Sequence, residues 1–280
     1  MVVVAADICR STDGVAWTRV TDTPSQIRSA DDVVDVIAGG PGFILVRQQL
    51  TSASVSVRVW RSVDGLHWRS AGSPAAFANI EPRAVAAGPR GMVILGQPYV
   101  ERRYIPTIAP LRSPDGITWS RGLRQRAFEP LSLRPPGRAS VIRGGPGYVA
   151  AGSYQPRSRT GAAVWTSPDG FTWKRVYSVL PASGFVEFGG LARIGPGYAV
   201  VGLLAPPSQE DPALPTVWLS PDGTRWRSGV SLPLPTDGPV ASLDIVGAAG
   251  GSARLVAVGN WWDGAHLRRA EVWTGTYRAP

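Results

Sequence analysis

One cysteine, one lysine, two histidines and no apolar run long enough to cross a membrane set the first limits on this chain. Cys9 stands alone, so neither an intrachain disulfide nor a thiolate metal cluster can form, and the redox compartment stays open. His67 and His266 are far apart and neither has a His or Cys neighbour at ligand spacing, so no metal and no cofactor are expected. Met1 to Ala6 is apolar but lacks a basic flank and is too short for a signal core. The sequence as written therefore reads as cytoplasmic, monomeric and without a membrane span; it reads as extracellular if the true start lies upstream. No segment repeats its apolar residues with a helical period. No glycine-rich loop opens a helix, and no Gly-x-Ser-x-Gly elbow is present, which removes phosphate-cradle and serine-hydrolase motifs.

Lysine is almost absent among the basic residues. Lys174 is the sole lysine of 29, and the formal net charge is +9. Arginine's planar fork suits phosphate, sulfate or carboxylate groups. A rise of Arg, Ala, Gly and Pro together is also what a GC-rich genome produces. The arginines are scattered, with no basic arm or basic helix, so nucleic acid is not the expected partner.

What is abundant is turn chemistry, with 33 glycines and 26 prolines, and it recurs. Five segments share the pattern Ser-x-Asp-Gly-x-x-Trp: Ser11 to Trp17, Ser62 to Trp68, Ser113 to Trp119, Ser167 to Trp173 and Ser220 to Trp226. Asp13, Asp64, Asp115, Asp169 and Asp222 fall at nearly constant intervals, and this spacing defines a period of about fifty residues. Asp-Gly between two β-prone runs predicts a hairpin, because both residues tolerate positive φ and the Ser and Asp oxygens can cap turn N–H groups. Trp17, Trp68, Trp119, Trp173 and Trp226 then open the next strand, each with a ring large enough to lie between adjacent sheets. Trp60, Leu111, Trp165 and Trp218 stand two residues before the Ser. Cys9 holds that place in the first copy and reads as a small core hydrophobe.

A second mark precedes each hairpin. It is a Pro-Gly turn, as in Gly40-Pro41-Gly42 and Gly195-Pro196-Gly197, expected as type II, followed by an unbroken apolar run suited to a strand covered on both faces. Each period then holds four strands, A to D outward from an axis. The expected fold is all-β: a β-propeller of about five four-stranded blades, or six with one incomplete. The blades fall near residues 29–70, 79–120, 139–177, 185–228 and 240–276, the last joined by 1–20. The expected whole is one domain over 1–280, closed by pairing of the N- and C-terminal strands.

The repeated hairpin resembles the Asp-box, or bacterial neuraminidase repeat, of sialidase-like propellers, although Asp and Gly are adjacent here where the family has a residue between them. The resemblance implies that the five Asp and Trp residues are structural and lie away from any substrate face. It also implies what a sialidase would need: an arginine triad, a Tyr activated by Glu, and an Asp acid. The family's early Arg-Ile-Pro motif is absent, and Arg103-Tyr104-Ile105-Pro106 differs from it in order and place.

An ordinary glycosidase needs two facing carboxylates, and the loop candidates Glu101, Glu129, Glu210, Asp211 and Asp263 show no pairing in their spacing. The informative loops lie between strands B and C. They carry Arg102, Arg103 and Tyr104; Arg157 and Arg159; and Trp261, Trp262, Asp263 and His266. Exposed aromatic rings there would stack on sugars or anchor a protein. The sequence thus predicts a noncatalytic binding or scaffold propeller that recognises a protein or carbohydrate through its B–C and D–A loops. The alternative is a divergent sialidase-type glycoside hydrolase.

Overall fold

A computed structural model of the chain describes residues 2–4, 7–13, 15–21, 32–39, 42–51, 54–72, 75–88, 90–100, 103–129, 139–145, 147–156, 159–205, 213–234, 242–252, 254–262 and 267–276. Among these, helix is confined to two 3-10 turns, Ala75–Phe77 and Arg126–Phe128, and the rest is strand and turn. Residue contacts divide the chain into two compact units: Met1–Gln125 with Asp169–Thr172, and Arg126–Pro168 with Trp173–Pro280.

The first unit holds three sheets. The N-terminal one is β1 (Val2–Val4), β2 (Ile8–Arg10) and β3 (Thr18–Arg19), in that order. Next come β4 (Asp32–Gly39), β5 (Gly42–Leu50), β6 (Val55–Ser62) and β7 (Arg69–Gly72), again in chain order. The third contains β8 (Ile80–Gly88), β9 (Gly91–Val100), β10 (Arg103–Tyr104), β11 (Ala109–Ser113) and β12 (Ser120–Arg121). Here β9 pairs with β8 and β11, while the short β10 folds back on the far end of β9.

The second unit repeats the plan. It contains β13 (Ala139–Gly144), β14 (Gly147–Tyr154), β15 (Gly161–Ser167) and β16 (Lys174–Val179). There follow β17 (Phe185–Ile194), β18 (Gly197–Ala205), β19 (Leu214–Ser220) and β20 (Arg227–Ser231). The last sheet is β21 (Ser242–Gly250), β22 (Arg254–Trp262) and β23 (Leu267–Thr276). Both four-stranded sheets and the final three-stranded one run antiparallel in chain order. The expected all-β class and its blade-type unit are therefore what the chain adopts.

Two details of the expectation are corrected. The spare strand near residues 15–20 was expected to complete the last sheet, but β3 pairs with β2, Cys9 opposite Arg19 and Arg10 opposite Thr18. A hairpin closing over seven residues costs far less loop entropy than a pairing across the whole chain, so the local partner wins. The second correction concerns the Gly-Pro turns. In the two-residue loop between Ile194 and Gly197 the positive φ falls on Gly195, before the proline, at 53°. Pro196 cannot adopt positive φ, so a primed turn here must be type II′, which places glycine first.

The Asp-Gly hairpins show why their residues recur. Asp64 Oδ1 accepts from Leu66 N at 2.8 Å and His67 N at 2.9 Å, and Ser62 Oγ accepts from Gly65 N at 2.8 Å. Asp115, Asp169 and Asp222 repeat the carboxylate contacts at 2.7–2.9 Å. The Trp four residues on donates its indole N–H to the turn glycine carbonyl at 3.2 Å from Trp68, 3.1 Å from Trp119 and 3.0 Å from Trp226. Four of the five rings are buried; Trp17 is 41% exposed. The N-terminal sheet meets Leu45, Trp60 and Trp68 with Ile8 and Val20, so Trp17 is not the residue that wedges there.

Candidate functional site

The site begins with a proline inside a strand. The β8–β9 register slips between Pro82 and Ala84, leaving Arg83 as an extra, bulged residue, and Pro82, with no N–H for the ladder, is tolerated at such an irregularity. A bulge re-aims a side chain that regular pleating would send elsewhere. Arg83 turns onto its neighbours: its Nη1 lies 3.0 Å from Glu81 Oε1, and its Nε and Nη2 donate to Gln97 Oε1 at 3.1 and 2.7 Å. Gln97, directly opposite Glu81, donates its own Nε2 to Ile105 O at 3.1 Å. The guanidinium lies 5.1 Å from the ring centre of Tyr104, and that ring rests 4.9 Å from Tyr99.

This group is dry. Glu81 is 5% exposed and Gln97 3%. The Glu81 carboxylate is buried between the Arg83 guanidinium and the Tyr104 hydroxyl, which hydrogen-bonds it. Burial, reinforced by the Glu81 carboxylate, pushes the Tyr104 hydroxyl up to about 12. At pH 7 roughly one Tyr104 in 10^5 is ionised, so the residue is a hydrogen-bond donor rather than a nucleophile.

Glu81 is one instance of a repeated placement. The inner strands β4, β8, β17 and β21 all carry a register slip, after Val33, Pro82, Phe188 and Ile245 respectively. In each, the residue just ahead of that last regular position is acidic: Asp32 and Glu81 in the first unit, Glu187 and Asp244 in the second. Past the slip in β4, burial pushes the Asp35 carboxyl up to about 6, although its Oδ1 accepts from Val36 N at 2.8 Å. Sequence reasoning sought carboxylates in loops and missed these. The signal was a polar residue interrupting an apolar inner stretch at one fixed place in four repeats.

Of the residues nominated from sequence, the structure brings Tyr104 into the group. Arg103 beside it is exposed and opposite Val100. Arg159 is exposed and its Nη2 donates to Leu180 O at 3.1 Å and to Pro181 O. Trp261 and Trp262 are placed on β22 itself, opposite Leu243 and Ser242, rather than in a loop. Arg102, Arg157, Asp263 and His266 lie outside the described residues, as do Glu101, Glu210 and Asp211. Among the described residues no three His, Cys, Asp or Glu side chains cluster closely enough to hold a metal ion, and no helix is long and apolar enough to cross a membrane.

No family pattern and no curated protein matches the chain. Solved structures do. A glycosyl hydrolase from Bacteroides ovatus is 14% identical, with 86% of this chain and 87% of that one covered, at a TM-score of 0.45. A family 117 glycoside hydrolase from the marine bacterium Zobellia galactanivorans is 10% identical over 87% and 82%, at 0.44. The β-1,2-mannobiose phosphorylase of Listeria innocua is 13% identical over 82% and 87%, at 0.46. These likenesses are of fold, and remote. Against the expectation of a noncatalytic binding or scaffold propeller, which is corrected here, the proteins found are named as enzymes that process glycosides.

Proposed function

We propose that the chain is a divergent glycoside hydrolase, a single propeller domain over 1–280, with Glu81 as a reacting carboxylate. The observation that carries this reading is the buried Glu81 carboxylate, set between the Arg83 guanidinium and the Tyr104 hydroxyl. Glycoside cleavage uses two carboxyl groups, one to protonate the leaving oxygen and one to attack or to activate water. Paired with Arg83, Glu81 suits the second role. Asp32 holds the matching register position on β4, one residue ahead of Val33, where that strand's pairing slips. Tyr104 and Arg83 hold Glu81 in place. The finer sialidase-type form, with Tyr104 attacking and Glu81 as its base, is disfavoured by a hydroxyl that ionises near 12.

The test is hydrolysis of a panel of aryl glycosides by the purified full-length chain. Glu81→Gln should lower kcat by about 10^2 or more while the far-ultraviolet β signal is unchanged. Tyr104→Phe should cost less, on the order of tenfold, the loss of one hydrogen bond to a charged or developing group. Absence of hydrolysis across the panel, or full activity in Glu81→Gln, would remove the proposal.

A further inference from the structure

At the outer corner of sheet β4–β7 two arginines stand face to face. Arg61 on β6 and Arg69 on β7 are direct partners across the ladder. Like charges placed so are destabilising. The other hairpins avoid it: the corresponding pairs are Arg112 with Ser120, Thr166 with Lys174, and Leu219 with Arg227. Among the described ion pairs none involves Arg61 or Arg69. The two border an open depression of about 330 Å³ whose rim also includes His67 and Asp64.

The one carboxylate there is already spent on its own turn. Asp64 Oδ1 takes the two backbone N–H groups and the Ser62 hydroxyl at 3.1 Å, and Oδ2 meets His67 Nδ1 at 2.7 Å. These bonds, with His67 foremost, hold its carboxyl well below the usual carboxylate range. From the other side Arg10 Nε donates to Asp64 O at 2.9 Å, which adds a third guanidinium to the corner. Positive charge therefore exceeds what the local carboxylate can neutralise, and it surrounds a space large enough for a small ion.

We propose that this corner binds a tetrahedral oxyanion, a phosphate or sulfate group, bridged between Arg61 and Arg69. Each guanidinium offers two parallel N–H donors to such an ion, and the bound charge cancels the cross-strand repulsion. The site is separate from Glu81 and does not depend on glycoside hydrolysis.

Inorganic phosphate titrated into the full-length chain at constant ionic strength, against chloride, tests it by calorimetry and by thermal midpoint. Saturable binding with a rise in midpoint is expected for the parent. Arg61→Ala and Arg69→Ala should each weaken phosphate about tenfold or more. Arg227→Ala, the same position on another sheet, should bind as the parent does. In chloride alone Arg69→Ala should melt no lower than the parent, because removing one charge relieves the pair, so loss of binding is separable from loss of fold. Glucose 6-phosphate and glucose 6-sulfate then identify the source by which binds more tightly. No saturable binding by the parent, or equal binding by the Arg61→Ala/Arg69→Ala double variant, overturns the proposal.

Discussion

A single buried carboxylate shows how residue chemistry and pH are tied together. Burial raises Asp35 from the ordinary 3.8 to about 6, so the folded protein holds this proton more tightly than the unfolded chain does. The resulting stabilisation is present below 3.8 and is lost as pH rises through about 6. Asp35→Asn keeps the acceptor for Val36 N and removes the charge. It should therefore stabilise the protein by about 1–3 kcal/mol at pH 7 and by almost nothing at pH 4. Urea unfolding at the two pH values measures this, and an equal effect at both would show that Asp35 is not held as a buried acid.

At the scale of elements, the turn and the bulge do different work. The turn sets where a sheet ends, and glycine is required where its φ is positive. Gly65 at +78° would bring a new Cβ to 2.7 Å from Val2 Cγ2, whereas Gly72 at +86° would meet nothing within 4 Å. Gly72→Ala should therefore cost only the left-handed conformation, about 1–2 kcal/mol. Gly65→Ala should cost more, because Val2 and Phe43 must also give way. Thermal midpoints of the two variants, both in the first unit, give the comparison directly. If they fall equally, the N-terminal sheet does not pack on this turn.

The bulge sets what a strand presents. Ser-x-Asp-Gly-x-x-Trp and the positions of the Gly-Pro turns, though not the turn type, were legible because each is built from residues close in sequence with strong local preferences. Glu81, Arg83 and Gln97 were not, because their meeting depends on a register slip between two strands and on which residue sits opposite. Tyr104 was nominated for its place in a loop. It proves instead to belong to a short strand paired with β9, its ring tilted against Tyr99.

Over the whole molecule, opposing carboxylates shape the response to acid. Asp13, Asp64, Asp115 and Asp222 are all held below 3.8, chiefly by backbone N–H groups of their own turns. Their stabilisation is present above that value and lost as pH falls through the lowered ones, opposite in sign to Asp35. Thermal stability should therefore peak at about pH 4–5, falling gently toward neutrality and steeply in acid. A scan from pH 2 to about 8 checks this. A maximum at neutral pH would mean that Asp35 is not held as a raised acid, because the turn carboxylates are ionised in both folded and unfolded chains well above 3.8 and add no slope there.

The all-β class, the period and the position of every Asp-Gly hairpin follow from the amino-acid sequence alone, since each rests on contacts within a few residues. Strand partnership did not: the sequence made residues 15–20 eligible for two sheets, and the cheaper loop closure onto β2 settled which. The carboxylate group was likewise a matter of tertiary structure, because a proline, a bulge and a facing glutamine make a site only when β8 and β9 lie side by side.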